Sequence, residues 1–333
     1  MVCYHPVSCI YPTISREDGK RPLLFRPAES MKCFSDSPFV RDIVDYEIIH
    51  GFKIQVPCGK CIGCRLDYSR HWSLRSMHEA RMHDKNTFVT LTFNDEHLPD
   101  DRSISKSYIQ SWLKRFRKKY GEGIRYMLCG EYGSKTQRPH YHILFYGFDF
   151  PDKYVWSERR GNLYYRSPGL EEVWRDACSS ESNGFSVIGD VTFESSAYVA
   201  RYVTKKILGY KASAHYKGRE PEFLLTSRMP GLGNEYFYKY YNDMFSNGFC
   251  LIENKGKRFK APIPRYYVNL LSEFRPELYN RYKVDKLKFM YDNLFNEEID
   301  KSRERLDALE ELKNIKCDKL VRIYEMDTLL HNI

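Results

Sequence analysis

The chain has 333 residues, of which 42% are hydrophobic, 15% aromatic and 29% charged, and this composition excludes wholesale disorder and suggests about two domains. Lys and Arg number 53 against 44 Asp and Glu, a net charge of +9, which permits a polyanionic partner without requiring one. The apolar run 142–148 is far shorter than the ~20 residues of a membrane span, and charges and prolines interrupt the first thirty residues, so we expect neither a membrane protein nor Sec-type secretion.

Residues 1–82 form a cysteine-rich region with little periodicity, and we predict an irregular, loop-rich structure for it. Three of the chain's ten cysteines, Cys58, Cys61 and Cys64, lie close together here. Their spacing suits a structural zinc site in a reducing compartment better than a disulfide framework, and reduced loop cysteines are the alternative. The fourth ligand is left open among Cys3, His5, Cys9 and Cys33.

Residues 83–210 show the clearest periodicity. The pattern predicts, in order, a strand, a helix, two hairpin strands, a helix, a strand and a helix at Phe88–Phe93, Ile104–Tyr120, Ile124–Glu131, His140–Phe148, Leu170–Cys178, Phe185–Val191 and Ser195–Leu208. Ser195 and Ser196 are candidate caps of the last helix, and Gly209 its stop. This order predicts an α+β fold, a ferredoxin-like or RRM-like antiparallel sheet with flanking helices.

Residues 211–333 begin as a basic, aromatic segment and become helical and highly charged beyond residue 278. We expect C-terminal helices that pack on the body of the protein. A coiled-coil surface is the alternative, although the apolar seam does not hold a strict heptad.

Two histidines at the start of a strand carry the first chemical signal. Strand side chains alternate, so His140 and His142 point to one face and Tyr141 to the other. A hairpin would bring Glu131 beside them, and two imidazoles with one carboxylate leave coordination positions open, as catalytic metal sites require. Histidines with an ordinary surface or core role are the alternative.

Two tyrosines on the last helix of this region carry the second signal. Tyr198 and Tyr202 are four residues apart and so lie one turn apart on one face. A buried aromatic stripe would explain them equally well, but Arg201, Lys205 and Lys206 on the same segment suit phosphate binding. With a cation to polarise the phosphate, a tyrosine could attack DNA and keep a covalent phosphotyrosine link.

The segments FVTLTF, RPHYHILFYG and AYVARYVTKK, in that order, resemble the three motifs of HUH endonucleases, and the paired tyrosines resemble the two-tyrosine rolling-circle initiators. The segments MVCYHP, VPCGKCIGCRLDYSRHWSLRS and SRMPGLGNEY are similar to the replication initiation proteins of gokushovirus-type Microviridae. The resemblance spans residues 1 to about 240.

This resemblance implies functional roles residue by residue. His140, His142 and Glu131 would bind catalytic Mg²⁺ or Mn²⁺, Tyr198 and Tyr202 would alternate as nucleophiles, and Lys205 would assist. Arg201 stands where many relatives have lysine, and arginine does not readily give up a proton, which puts a general-acid role in doubt.

The implied activity is site-specific nicking and joining of single-stranded origin DNA in the host bacterial cytoplasm, with a host helicase and polymerase as partners. We expect Arg138, Arg201 and Lys206 to contact the DNA backbone. A plasmid initiator, relaxase or HUH transposase would use similar chemistry. A noncatalytic zinc-containing DNA-binding protein is the alternative outside the enzymes.

Overall fold

A computed structural model describes residues 3–12, 23–25, 39–44, 47–133, 136–159, 161–176, 181–207, 211–254, 256–294 and 302–327. Within these ranges no helix combines the length and the apolar character that crossing a membrane would require. The chain divides into two units, one of residues 1–67 with 300–319 and one of residues 68–299 with 320–333. Domain boundaries at residues 82 and 210 stay a prediction.

The first unit contains an antiparallel sheet with the strand order β2-β1-β4-β3. Its strands are β1 (Val7–Pro12), β2 (Leu24–Phe25), β3 (Phe39–Val44) and β4 (Glu47–Val56). The prediction of an irregular region is therefore wrong for these residues. The central ladder pairs Val7 with Val56 and Pro12 with Gly51, and a short-range pattern does not reveal pairing between such distant residues.

The second unit is built on an antiparallel sheet with the order β11-β6-β7-β5-β10-β9-β8 among the described residues. The strands are β5 (Asn86–Phe93), β6 (Arg125–Tyr132), β7 (Pro139–Tyr146), β8 (Tyr154–Arg159), β9 (Asn162–Arg166), β10 (Gly184–Gly189) and β11 (Phe223–Thr226). The α+β class and the β6–β7 hairpin are confirmed. Strands β8, β9 and β11 were not predicted.

The helices are α1 (Ile62–Ala80), α2 (Lys106–Tyr120), α3 (Pro168–Val173), α4 (Phe193–Lys205), α5 (Lys211–Tyr216), α6 (Asn234–Asn247), α7 (Arg265–Phe274), α8 (Pro276–Leu294) and α9 (Arg303–Asp327). A small antiparallel hairpin, β12 (Cys250–Asn254) and β13 (Lys257–Ala261), lies between α6 and α7.

Helix α2 covers one face of the sheet with an apolar stripe. The Ser105 hydroxyl caps its start by accepting the Tyr108 N–H at 3.2 Å. Trp112 and Phe116 are fully buried, and the Phe116 ring stacks on Phe145 of β7 with centroids 4.4 Å apart. Such close aromatic packing makes this face the rigid support of the sheet.

Helix α4 lies against β6 and β11, and Tyr198 and Val199 pack with residues of the face opposite α2. It begins two residues earlier than predicted, so Ser195 and Ser196 are not its caps. Thr192 is the cap: its side chain accepts the Ser195 N–H at 3.1 Å, and the Ser195 hydroxyl accepts the Thr192 N–H at 2.8 Å in a capping box. Leu208 and Gly209 lie outside the described residues.

The second half of α1 packs beside α4 through small polar residues. Ser69, Ser73 and Ser76 are buried on one face of α1, and the Ser76 hydroxyl contacts those of Ser196 and Tyr146 at 2.8 and 2.7 Å. This helix escaped prediction because its buried face lacks the apolar periodicity of an ordinary core helix.

A second core forms where α6, α7, β12 and β13 surround the fully buried Tyr267. His78 of α1 enters this core, stacks on Tyr236 with centroids 3.8 Å apart, and contacts the Tyr267 hydroxyl through Nδ1 at 3.0 Å. Burial, assisted by the Arg81 charge, lowers the pKa of His78 from 6.5 to about 3, so this imidazole is neutral in the folded protein at neutral pH.

The lowered pKa of His78 makes the stability of this core dependent on pH. Between about pH 3 and 6.5 the unfolded chain binds a proton at His78 that the folded chain does not, so acid destabilises the fold. Through His78 alone, a change from pH 7 to pH 5 should lower the free energy of unfolding by about 2 kcal/mol. Urea unfolding at both pH values should show a smaller loss, by about that amount, in His78→Phe. Equal losses in the two proteins would contradict a neutral buried imidazole.

Candidate active site

The register of β6 against β7 assembles the centre of the site. Glu131 is paired with His140, and Cys129 with His142, so side chains of all four residues face the α4 side of the sheet. Tyr141 points to the opposite face, where its hydroxyl accepts the Ser105 N–H at 2.8 Å. The predicted sharing of one face by His140, His142 and Glu131 is confirmed.

The neighbouring strand β5 holds both imidazoles. Thr92 and Thr90 are paired with His140 and His142, and their hydroxyls contact the Nδ1 atoms of these rings at 2.8 and 3.0 Å. Because Nδ1 of each ring is engaged by a hydroxyl, Nε2 is the nitrogen directed to the site. Such partners fix the orientation of a ligating ring.

The carboxylate of Glu131 joins a histidine to a tyrosine. Its Oε1 lies 2.6 Å from Nε2 of His142 and accepts the hydroxyl of Tyr198 at 3.2 Å. The Tyr198 ring meets the His142 ring edge-on, with centroids 5.1 Å apart. Residues from β6, β7 and α4 that are distant in sequence thus form one connected polar group.

This polar group is almost closed to solvent. Glu131 and His142 are each 3% exposed, Tyr198 5% and His140 7%. Buried polar groups cost free energy unless they are hydrogen-bonded, and the contacts to Thr90, Thr92 and Glu131 meet this requirement. A DNA phosphate could contact Tyr198 only after neighbouring groups move.

Sequence reasoning missed three contributors to this site. Thr90 and Thr92 could have been recognised as a same-face pair from the alternation of the FVTLTF strand, but their partners depend on the strand order. Gly133 follows β6, and a Cβ atom there would lie 2.9 Å from Nε2 of His140. No local signal distinguishes this glycine from an ordinary turn residue, because the requirement is space for a distant ring.

Other tyrosines of this sheet are structural. Burial raises the pKa of Tyr141 and of Tyr146 well above 10, the usual value for tyrosine, which disfavours the phenolate. Their hydroxyls contact Ser105 and Ser76.

The remaining predicted residues are placed less completely. Tyr202 and Lys205 belong to α4, with Tyr202 one turn after Tyr198, but their side chains lie outside the described part. Arg201 is half-buried, and Lys206 caps the C-terminus of α4. Arg138 donates to the Phe93 carbonyl at 2.8 Å and forms an ion pair with Asp95, so much of its hydrogen-bonding capacity is used within the protein.

The donor set of Glu131, His140 and His142 suits a divalent ion, because imidazole nitrogen and carboxylate oxygen are common metal ligands. The arrangement is not compact: the two imidazole centroids are 6.4 Å apart. Among the described residues, the groups with ligand atoms within 4.8 Å of one another are elsewhere, at Cys3, Cys58, Cys61 and Cys64 and at His5, Asp307 and Glu310. Joint binding of one ion would replace the direct contact between Glu131 and His142 and turn a ring.

The first unit brings the predicted cysteine cluster together. Cys3 is the candidate fourth residue that lies with Cys58, Cys61 and Cys64. His5 instead contacts Glu310, Cys9 is buried outside the cluster, and Cys33 lies outside the described residues.

Comparison with known proteins identifies relatives of the whole chain. The family described as replication-associated protein ORF2 matches residues 86–207. Replication-associated protein VP4 of Bdellovibrio phage phiMH2K is 33% identical over 270 residues, which cover 78% of this chain and 78% of that protein. Replication-associated protein ORF2 of Spiroplasma virus 4 is 35% identical over 287 residues, covering 80% of this chain and 85% of that protein.

Replication-associated protein ORF4 of Chlamydia phage 1 is 28% identical over 256 residues, covering 72% of this chain and 61% of that protein. No solved structure matches the chain. The family resemblance drawn from the sequence motifs is confirmed by these relatives, and the chain belongs to the replication-associated proteins of Microviridae-type phages.

Proposed function

We propose that this replication protein nicks and rejoins single-stranded DNA by tyrosine transesterification, and so starts and ends rolling-circle replication. The observation that carries the proposal is the hydrogen bond from the Tyr198 hydroxyl to Glu131, whose same oxygen contacts His142. A phenol of the motif helix therefore lies at the carboxylate of the histidine motif. Membership in a family of replication-associated proteins is the independent support.

The order of the central strands supports an HUH-type, ferredoxin-like core. The chain runs β5, α2, β6, β7, α3, β10, and the corresponding part of the sheet has the order β6-β7-β5-β10. This is the arrangement expected of a βαββαβ sandwich in which the first and third strands are central. Strands β11, β9 and β8 extend the sheet on either side.

In the proposed step, the Tyr198 oxygen attacks a DNA phosphorus and the bond to the 3′ oxygen breaks. The phenol proton ends on the released 3′ hydroxyl, and the 5′ phosphate stays on the tyrosine. Glu131 orients the phenol through its hydrogen bond and is the nearest group able to accept its proton. No water is consumed, so the phosphotyrosine bond can be used for rejoining.

Tyrosine needs this assistance because its ordinary pKa is about 10. Mg²⁺ or Mn²⁺ held by Glu131, His140 and His142 would polarise the phosphate and offset the developing negative charge. Two imidazole nitrogens with one carboxylate suit Mn²⁺ better than Mg²⁺, because Mg²⁺ prefers oxygen ligands and an octahedral shell of water. The hydroxyls of Thr90 and Thr92 keep both rings oriented for this role.

A second tyrosine solves the problem of termination. After the first cut, the free 3′ hydroxyl would prime a host polymerase while Tyr198 or Tyr202 holds the 5′ end. The other tyrosine would cut the regenerated origin, and the released 3′ end would close the displaced strand into a circle. Lys205, one turn after Tyr202 on α4, would supply positive charge to the phosphate.

The reaction would take place in the cytoplasm of the infected bacterium, with a host helicase opening the duplex. Arg201 and Lys206 on the motif helix and Arg138 before β7 would contact the phosphate backbone, which predicts salt-sensitive binding. Arg138 would first have to exchange its ion pair with Asp95 for a phosphate.

The paired tyrosines provide the first test. Labelled oligonucleotides tiled across the phage genome, incubated with protein and Mn²⁺, should give a covalent adduct that survives denaturant and is absent with EDTA. Tyr198→Phe and Tyr202→Phe should each leave partial cleavage, and the double variant should form no adduct. Loss of the Tyr198 hydroxyl removes one hydrogen bond, worth about 1 kcal/mol, so the variant should still fold.

The matched control is Tyr146→Phe, which removes another buried hydroxyl from the same sheet face. It should retain full adduct formation. A double tyrosine variant that still produced cleaved DNA would show that the nucleophile is another group.

Thr92 provides a second test, because it acts on metal binding through His140. Thr92→Val removes the hydroxyl that contacts Nδ1 and should raise the half-saturating Mn²⁺ concentration for adduct formation by about 10–100-fold. High Mn²⁺ should restore the rate, as expected of a positioning residue.

Thr87→Val is the control for this series. Thr87 is on the same strand, but its hydroxyl donates to the Phe148 carbonyl at 2.9 Å on the other face. Its Mn²⁺ dependence should equal that of the wild type. An unchanged Mn²⁺ dependence in Thr92→Val would remove Thr92, and with it the oriented His140, from the proposed metal site.

A further inference from the structure

Four cysteines of the first unit converge on one point. Cys3 lies just before β1, Cys58 and Cys61 lie between β4 and α1, and Cys64 is in the first turn of α1. Their sulfur atoms are all within 4.8 Å of one another. Cys61 is buried and the other three are half-buried, so the cluster is partly shielded from solvent.

The distances between the sulfurs fit a tetrahedral metal site. The Cys58 and Cys64 sulfurs are 4.0 Å apart, and those of Cys3 and Cys61 are 3.9 Å apart. Zinc–sulfur bonds of about 2.3 Å in a tetrahedron place the sulfurs about 3.8 Å apart. Sulfurs joined as a disulfide would be separated by about 2.05 Å, so the spacing corresponds to ligands of one ion.

Backbone N–H groups are directed at these sulfurs. The Cys58 sulfur accepts from the N–H groups of Lys60 and Cys61 at 3.4 and 3.2 Å. The Cys3 sulfur accepts from Cys58 N–H at 3.2 Å, and the Cys61 sulfur from Tyr4 N–H at 3.4 Å. Donors of this kind stabilise thiolates and orient metal ligands.

Gly59 makes the turn between the first two loop cysteines possible. Its φ of +72° lies in the left-handed region that favours glycine. The turn directs two N–H groups to one sulfur and brings Cys58 and Cys61 to the same side.

The unit has a small apolar core for an ion to supplement. Among the side chains that the structure describes in this unit, the buried apolar ones are Tyr4, Cys9, Ile10, Cys61 and Leu306. Small cores of this kind are commonly stabilised by a metal or by disulfides. The cysteines of the described ranges are all free, which leaves a metal.

Helix α9 packs on the cluster and depends on its shape. Leu306 packs with Tyr4 and Cys61. Glu310 accepts the Ile62 N–H at 3.3 Å with Oε1. The ion would therefore hold together the surface against which the start of α9 packs.

A neighbouring group of His5, Asp307 and Glu310 is a weaker candidate. Arg303 lies beside it, with Nη2 2.8 Å from Asp307 and 2.5 Å from Nδ1 of His5. The guanidinium charge would repel a cation there, whereas the sulfur contacts described above are with backbone N–H groups and with other sulfurs of the cluster.

We propose that Cys3, Cys58, Cys61 and Cys64 bind one structural zinc ion. The ion ties the segment before β1 to the first turn of α1 and supports the packing of α9. The four cysteines are not part of the proposed nicking site and take no part in its chemistry, since four protein sulfurs leave no open coordination position on the ion.

The direct test is the metal content of the full-length protein. Protein expressed with zinc and iron both supplied, then dialysed against metal-free buffer, should contain one zinc per chain by elemental analysis. The Cys58→Ser, Cys61→Ser double variant should contain none, and Cys9→Ala, which removes a buried thiol of the same unit outside the cluster, should retain it.

A spectroscopic measurement keeps the test independent of whether the double variant folds. Wild-type protein exchanged with Co²⁺ should show the intense visible absorption and the thiolate charge-transfer bands of tetrahedral sulfur coordination. Wild-type protein without zinc, with iron in its place, or with a Co²⁺ spectrum of oxygen and nitrogen ligands would overturn the proposal. Full retention of zinc by the double variant would do the same.

Discussion

The candidate site depends on one constraint, the register of β6 against β7. This register pairs Glu131 with His140 and places His142 on the same face. A slip of one residue would send Glu131 to the α2 side of the sheet, among aromatic side chains. The short link helps to maintain it, because Gly133 N–H donates to the Arg138 carbonyl at 3.0 Å. Burial of both sheet faces makes any other register costly.

The two faces of this sheet have different physical tasks. The α2 face is apolar and close-packed, and Trp112, Phe116 and Phe145 make it rigid. The opposite face carries hydroxyls and imidazoles in a buried hydrogen-bonded network, for which α1 supplies serines. A rigid support on one side allows precise polar geometry on the other. The cost is a nearly closed site, so DNA entry requires a local movement.

Local pattern was sufficient for the central elements and for most of the site. Alternation in β5 and β7 and the stripe of α2 are strong signals, and the spacing of His140 and His142 determines that they share a face. The Thr92–His140 contact, the space at Gly133 and the choice of Cys3 could not be predicted, because each depends on segments distant in the chain. Helix α1 was missed because serines, rather than apolar residues, form its buried face.

The most direct test of the proposed chemistry is a crystal structure of the protein with Mn²⁺ and a short origin strand, with the ion located by anomalous scattering. We expect one Mn²⁺ within bonding distance of Glu131, His140 and His142, and a tyrosine oxygen of α4 about 3–3.5 Å from the phosphorus. An ion bound elsewhere, or a DNA strand crossing the α2 face, would contradict the account.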